Sequence, residues 1–221
     1  MAYQFQFDAL EPYAGQLLQG LVHTGFYAAA AISLGVLIGI AGALGLVYGA
    51  KPLRIGIRMY VEFFRNTPAL VQLFLIYFGL PNLGIRLEAP LAGVIALSLY
   101  CGSYMVEIIR SGLVSLPKGL TEAGLALGLS RRQIITHILS IPALQNVYPA
   151  LAGQMVLTLI GTSLISQIGV EEVFHAGSFI DSRTFRSFEI YLVICALYFF
   201  AVACMKTLLG MVYRRFFKRK G

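Results

Sequence analysis

Five apolar runs, each about as long as the hydrocarbon core of a bilayer is thick, constrain this chain more than any motif in it. A helix crossing that core needs roughly 20 mainly apolar residues. Every backbone polar group inside the core must be paired within its own segment, which removes open sheets from consideration. The runs cover about 21–48, 60–80, 89–113, 147–168 and 189–211. Charged residues make up 12% of the chain against 58% hydrophobic, where a soluble domain is expected near 25% charged. The expected fold is an all-α integral membrane protein of five transmembrane helices forming a single domain over about 20–213. A short N-terminal segment precedes it over about 1–19, and a basic tail follows over about 214–221.

The formal net charge of +7 would suggest nucleic acid in a soluble protein, but here its distribution decides. Lys51, Arg54, Arg58, Arg65, Arg110, Lys118, Arg131, Arg132, Lys206, Arg214, Arg215, Lys218, Arg219 and Lys220 fall on one side of the five runs; Arg86, Arg183 and Arg186 fall on the other. The excess of lysine and arginine marks the cytoplasmic side, placing the N-terminus outside and the C-terminus inside. The basic tail reads as an anchor on anionic lipid, and no nucleic-acid partner is expected. The first residues hold Asp8, Glu11 and Pro12 without a lysine or arginine, so they are no secretory leader. They read as an exposed tail whose Tyr3, Phe5, Phe7 and Tyr13 suit the interface. In the first run, Gly35-x-x-x-Gly39 fits close helix packing in a membrane, and His23 reads as interfacial. Cys101, Cys195 and Cys204 lie inside predicted spans without metal-like spacing and read as small buried apolar residues.

One polar island, about 114–142, interrupts the pattern on the basic side. Within it Leu120, Ala123, Leu127 and Leu129 keep near-helical spacing, Gly128 supplies a break, and Ile134, Ile135, Ile138 and Leu139 resume the period. Two short helices meeting at a glycine form a surface, where a mere connector needs none. Glu122-Ala123-Gly124, then Gly128, then Ile138-Leu139 resembles the EAA loop of bacterial ABC importer permeases. The resemblance implies a coupling helix that docks into a groove of an ATPase subunit, with Glu122, Ala123, Gly124, Leu125 and Gly128 as its contact and shape residues. Glu122, placed in the first turn of a short helix, also suits the helix dipole. Two positions depart from the family pattern: Gly124 stands where alanine is usual, and Ser140 where proline is usual, with Pro142 two residues on.

The stretch Glu62-Phe-Phe-Arg-Asn-Thr-Pro-Ala-Leu-Val-Gln-Leu-Phe-Leu-Ile-Tyr-Phe-Gly-Leu-Pro81 resembles the second span of the polar amino acid branch of these permeases, the histidine/glutamine/arginine/opine family. In it Pro68 suits the first turn of a helix, with Asn66 or Thr67 as cap. The resemblance implies a type I ABC importer permease-like fold in the bacterial inner membrane. It further implies a second permease subunit (identical or paralogous), ABC ATPase subunits that bind ATP and Mg, an extracytoplasmic solute-binding protein and a polar amino acid or opine as cargo.

Polar residues inside the spans are the candidates for the substrate pathway: Asn66, Thr67, Tyr104, Glu107, Gln154, Thr162 and Ser163. Glu107 carries two readings. An intramembrane carboxylate faces the bundle interior and has a partner; that partner is either a substrate ammonium or guanidinium, or Arg110 three residues on along the same face. Asn66 and Thr67 are read first as helix caps, and the polar positions of the fourth span can be ordinary interhelical hydrogen bonds. Thr162-Ser163-Leu164 matches a triplet that recurs in the family, whereas Ile160-Gly161 stands where relatives carry a charged or polar residue. No G-x-x-x-x-G-K-[S/T] occurs, so ATP is expected on another polypeptide. No H-E-x-x-H or G-x-S-x-G points to an enzyme, and neither cofactor nor metal is expected in this chain. Two rivals stand beside the importer permease. An ATP-independent secondary transporter or channel would show inverted repeats or charges in several spans; a membrane scaffold would use the same loop to recruit another soluble partner.

Overall fold

A computed structural model describes residues 5–217, and the described residues are helical with no strand. A 3-10 turn, Phe7–Tyr13, leads into α1 (Ala14–Tyr48), followed by α2 (Lys51–Asn66), α3 (Ala69–Phe74), α4 (Ala89–Val114), α5 (Lys118–Ala126), α6 (Arg131–Gln133), α7 (Ser140–Gly161), α8 (Val173–Thr184) and α9 (Ser187–Phe216). Among the described residues, four stretches are long and apolar enough to cross a membrane: Phe7–Tyr48, Ala89–Val114, Arg131–Ile168 and Ser187–Arg215.

Glycine lets α1 lie along α4. A Cβ built on Gly35 would meet the Cys101 thiol at 2.8 Å, and one on Gly39 would collide with the Cβ of Met105 and reach its backbone carbonyl carbon at 3.1 Å. One on Gly42 would strike Val106. In lipid, where burial supplies no net hydrophobic gain between helices, such close approach provides the dispersion that holds them. The expected role of Gly35-x-x-x-Gly39 is thus what the packing shows.

The run read as a second span, about 60–80, is not one helix. Thr67 is extended (φ −120°, ψ 148°), because the ring of Pro68 disfavours the helical region for the residue before it. Pro68 sits just outside α3 rather than in its first turn. Asn66 and Thr67 do not cap α3. Their side chains turn back on α2, the Asn66 amide donating to Glu62 Oε2 at 2.8 Å and the Thr67 hydroxyl to the Phe63 carbonyl at 2.7 Å. Buried Gln72 closes the gap: its Nε2 donates to the Phe64 carbonyl, the Thr67 carbonyl and the Thr67 hydroxyl at 2.7–3.0 Å. What remains of the span is the shorter apolar helix Ala69–Leu83, continued past α3 by a π turn and a 3-10 turn.

Other boundaries move as well. The first helix starts at Ala14, and the described segment before it, exposed along most of its length, is pinned by Leu10, which is buried with Leu17 of α1 and with Val173, Ala176, Ile180 and Ile190. Phe5 packs on Phe7 and Phe188. Tyr3 lies outside the described residues. The helix that holds the fourth span begins well before 147. Helix runs from Arg131 to Ile168 without a stop at Pro142, because the wider π turn at Ile134–Leu139 accommodates the proline that follows. Helix α9 runs from Ser187 to Phe216 and carries Arg214 and Arg215 in its last turn; the rest of the basic tail (Lys218, Arg219 and Lys220) lies outside the described residues. Cys101 is buried, but Cys195 and Cys204 are exposed on α9, which turns most of its surface outward.

The connection 169–188 is mostly α8, and a buried carboxylate fixes it. Glu172 has no exposed surface. It caps α8 by accepting the His175 N–H at 2.8 Å and takes hydroxyls from Tyr198 of α9 (2.6 Å) and Thr24 of α1 (3.4 Å). Three helices therefore meet on one side chain. Burial pushes this carboxyl up from the ordinary carboxylate range, against the Tyr198 hydroxyl, the N–H groups of Phe174 and His175 and the Thr24 hydroxyl. The folded state then keeps a proton that the unfolded chain releases, so this group makes stability fall as pH rises from the ordinary range through the raised one. Glu172→Gln removes that titration. Its melting temperature in detergent, scanned upward from about pH 4, is expected to decline less than that of the unaltered chain; parallel curves would show that Glu172 does not set the slope.

Candidate functional site

The basic-side element is built from turn chemistry. Pro117 supplies an extended residue before α5. The helix ends on Gly128, whose φ of +75° lies in the left-handed region where glycine carries no steric penalty. The Gly128 N–H donates to the Leu125 carbonyl at 2.9 Å and the Leu129 N–H to the Gly124 carbonyl at 3.1 Å, the paired bonds of a Schellman stop. Ser130 then starts the next helix with a capping box: its hydroxyl accepts the Gln133 N–H while Gln133 Oε1 accepts the Ser130 N–H. Ser130-x-x-Gln133 was the overlooked signal in the sequence. Gly128→Ala is expected to destabilise the turn by about 1–2 kcal/mol, the cost of a left-handed alanine. Limited proteolysis at Arg131 should then run about tenfold faster; an unchanged rate would mean the turn does not need that φ.

Gly124 is the buried residue of α5. A Cβ there would lie 2.8 Å from Ile134 Cγ1 and 3.1 Å from Ile138 Cδ1, which explains glycine in place of alanine. Glu122 falls in the second turn of α5, not the first, so the dipole argument for it does not hold. Its carboxylate, like Ala123, is exposed. Leu125 is 52% exposed and Leu127 77%. Two leucines held outward on a fixed turn make an exposed apolar knob, and Leu127 lies beside the residues expected to form a contact.

The polar span residues separate into two groups. The first lies where α2 crosses α4. The Arg110 guanidinium grips Glu107 with two of its nitrogens, Nη2 donating to Oε1 and Nε to the two carboxylate oxygens at 3.0 and 3.1 Å. The pairing expected from sequence spacing is present, and both partners remain about one-third exposed. Glu107 and Arg110 line a cleft of about 390 Å³ with Arg58, Val61, Glu62 and Leu46. The Arg65 guanidinium lies 5.2 Å from the Tyr104 ring centre, a cation–π contact beside Asn66 and Glu62. Two guanidiniums and two carboxylates facing one cleft can hold both ends of a zwitterion.

The second group belongs to α7 and the turn after it. Thr162 is buried and gives its hydroxyl to the Leu159 carbonyl at 2.7 Å; Ser163 gives its own to the Ile160 carbonyl at 2.9 Å. Both are used in tightening the 3-10 turn Thr162–Ile168. Gln154 is buried with its Nε2 unpartnered, as is Oε1 of Gln72. Buried amide atoms without partners are costly. Of the pathway candidates, Asn66, Tyr104 and Glu107 share the α2–α4 face; Gln154, Thr162 and Ser163 do not join them, and Thr67 serves the helix break.

The family profile described as the binding-protein-dependent transport system inner membrane component matches residues 31–219. The chain belongs to that family. It is a transport subunit, not an enzyme, and an ABC permease by likeness in sequence and fold. It is 31% identical over 214 residues to the glutamine transport system permease protein GlnP of Escherichia coli (strain K12), covering 96% of this chain and 98% of that one. A crystal structure of an amino acid ABC transporter with histidines matches with a TM-score of 0.87 at 33% identity, covering 96% of this chain and all of the other. The MetNI methionine ABC transporter in an inward-facing conformation matches with a TM-score of 0.78 at 18% identity over 93% of this chain, a likeness of fold.

Proposed function

We propose that this permease subunit carries polar amino acids inward across a bacterial inner membrane, driven by a separate ATPase that docks on α5. The observation that carries the reading is the α5 knob, two exposed leucines on a turn fixed by the Gly128 stop and the Ser130 cap, on the side rich in lysine and arginine. Its contact residues are Glu122, Ala123, Leu125 and Leu127, with Gly124 and Gly128 setting its shape. The positive side faces the cytoplasm. The chain passes the membrane five times, with Ala69–Leu83 as a short second passage and the N-terminus outside. The unit 20–213 is the transmembrane domain; 1–19 is extracytoplasmic and 214–221 cytoplasmic.

An amino acid cargo is supported by two of the similar proteins, the glutamine transport permease of Escherichia coli and the amino acid transporter crystallised with histidines. The Glu107 cleft supplies complementary charge for its ammonium and carboxylate. A second permease subunit, identical or paralogous, completes the pathway, and a solute-binding protein delivers the amino acid outside. ATP with Mg closes the ATPase pair, which draws the two α5 elements together and turns the pathway outward; hydrolysis resets it. Each state is favoured by the ligand that binds it better.

The test places one cysteine at Leu125 in a background without Cys101, Cys195 and Cys204, then cross-links membranes containing candidate ATPases. A nucleotide-sensitive adduct is the expected result, after which ATPase stimulation by loaded binding protein is screened across amino acids. No adduct in correctly inserted protein would remove the coupling role of α5.

A further inference from the structure

We propose that the slot between α7 and α9 is a binding site for one anionic phospholipid, its phosphate held by Lys206. The inference rests on the cytoplasmic placement of the end of α9. An unfilled slot of about 400 Å³ separates the two helices. Gly153 on α7 and Gly210 on α9 face it, and a Cβ on either would meet nothing within 4 Å. Glycine inside a helix is destabilising relative to alanine, and here no close packing of protein on protein requires it. The space is left for something that is not this chain.

Depth and charge identify the occupant. From Ser187 to Lys206 the helix rises about 28 Å at 1.5 Å per residue, close to the roughly 30 Å hydrocarbon core. Lys206 thus marks the level where headgroups begin, and the slot continues past it toward Tyr213. Tyr148 and Tyr213 pack ring to ring 5.1 Å apart at that end, and the Tyr148 hydroxyl donates to the Leu209 carbonyl at 2.7 Å. Interfacial tyrosines sit at this depth. Lys206, Arg214 and Arg215 have no carboxylate partner among the described residues. Neither α7 nor α9 beyond Glu189 contains an acidic residue. An apolar slot opening beside unpaired cations at headgroup level suits an acyl chain and glycerol below a phosphate, and a basic site between helices on the cytoplasmic side is where anionic lipid gathers.

The test reconstitutes the full chain in vesicles of phosphatidylcholine with either a photoactivatable phosphatidylglycerol or a photoactivatable phosphatidylcholine. Labelled peptides are then mapped. Phosphatidylglycerol is expected to label the 148–156 and 206–213 peptides in preference, and Lys206→Gln to lower that labelling about fivefold. Gly210→Leu, which puts an apolar side chain into the slot at a position where a Cβ meets nothing within 4 Å, should abolish it. Labelling of the outward face around Phe199 and Phe200 by both lipids shows that the chain is inserted, separating failure of this site from failure of the membrane placement. Equal labelling of the slot by both lipids, untouched by either variant, would overturn the proposal. So would a disulfide-linked dimer through Gly210→Cys in the cysteine-free background, which would assign the slot to a second permease subunit.

Discussion

Gly39→Leu is expected to leave no stably folded protein. Gly39 faces the backbone of Met105, a residue with no exposed surface, so the added side chain meets backbone and not the tip of a movable group. Overpacking that neighbours can absorb costs roughly 1–3 kcal/mol. Here α1 and α4 must move apart, which also loosens Gly35 against Cys101 and Gly42 against Val106. The cost is expected at or above about 3 kcal/mol, a large share of the 5–15 kcal/mol that holds a typical domain. Gly25→Leu, on the same helix with open space around its Cβ, serves as the control. Detergent-solubilised Gly39→Leu should lose its monodisperse peak and its cooperative melt while Gly25→Leu keeps both. A Gly39→Leu protein melting with the unaltered chain would refute the claim that glycine sets the α1–α4 distance.

The same contrast shows what the sequence could disclose. Gly35-x-x-x-Gly39 and Glu107-x-x-Arg110 were legible because each is a local spacing on one helix, and a helix has only one way to bring such positions onto one face. The four long spans were legible because bilayer thickness sets a minimum length. At Thr67-Pro68 a helix start was legible, to within a residue, from the proline; that residues 60–66 belong to a separate helix was not, because hydropathy averages over a window and does not see a lost N–H. The role of Gln72 could not be read at all, since it depends on carbonyls that the break exposes. Pro142 gave no such guidance: it closes the polar island in the sequence, yet the helix runs through it, with a π turn just ahead to accommodate it. Glu172 was passed over because its partners, Thr24 and Tyr198, lie far away in sequence. The pathway candidates were chosen one helix at a time, and only the packing of α2 on α4 separates Tyr104 and Glu107 from Thr162 and Ser163.

Leu125→Asp with Leu127→Asp is expected to stop transport while leaving the membrane fold intact. Both side chains already face outward, so removing them uncovers no core, and the Gly128 stop and Ser130 cap that hold the turn are main-chain and side-chain hydrogen bonds to which neither leucine side chain contributes. If the pair fills a groove on the ATPase, two charges placed there lose the apolar contact and are themselves desolvated without a partner, a loss above about 2 kcal/mol at a central anchor. That corresponds to at least about a 30-fold fall in binding-protein-stimulated ATP hydrolysis and in uptake by proteoliposomes at limiting ATPase. Basal hydrolysis by the ATPase alone should not change, and the melting temperature of the variant permease should stay with that of the unaltered chain. A Glu11→Gln control at the opposite end should retain uptake. Full uptake by the double variant would mean that the α5 knob is not where the driving subunit docks. A loss of uptake with normal ATPase docking would instead place the defect in the coupled motion of the helices and leave the docking surface elsewhere on the basic side.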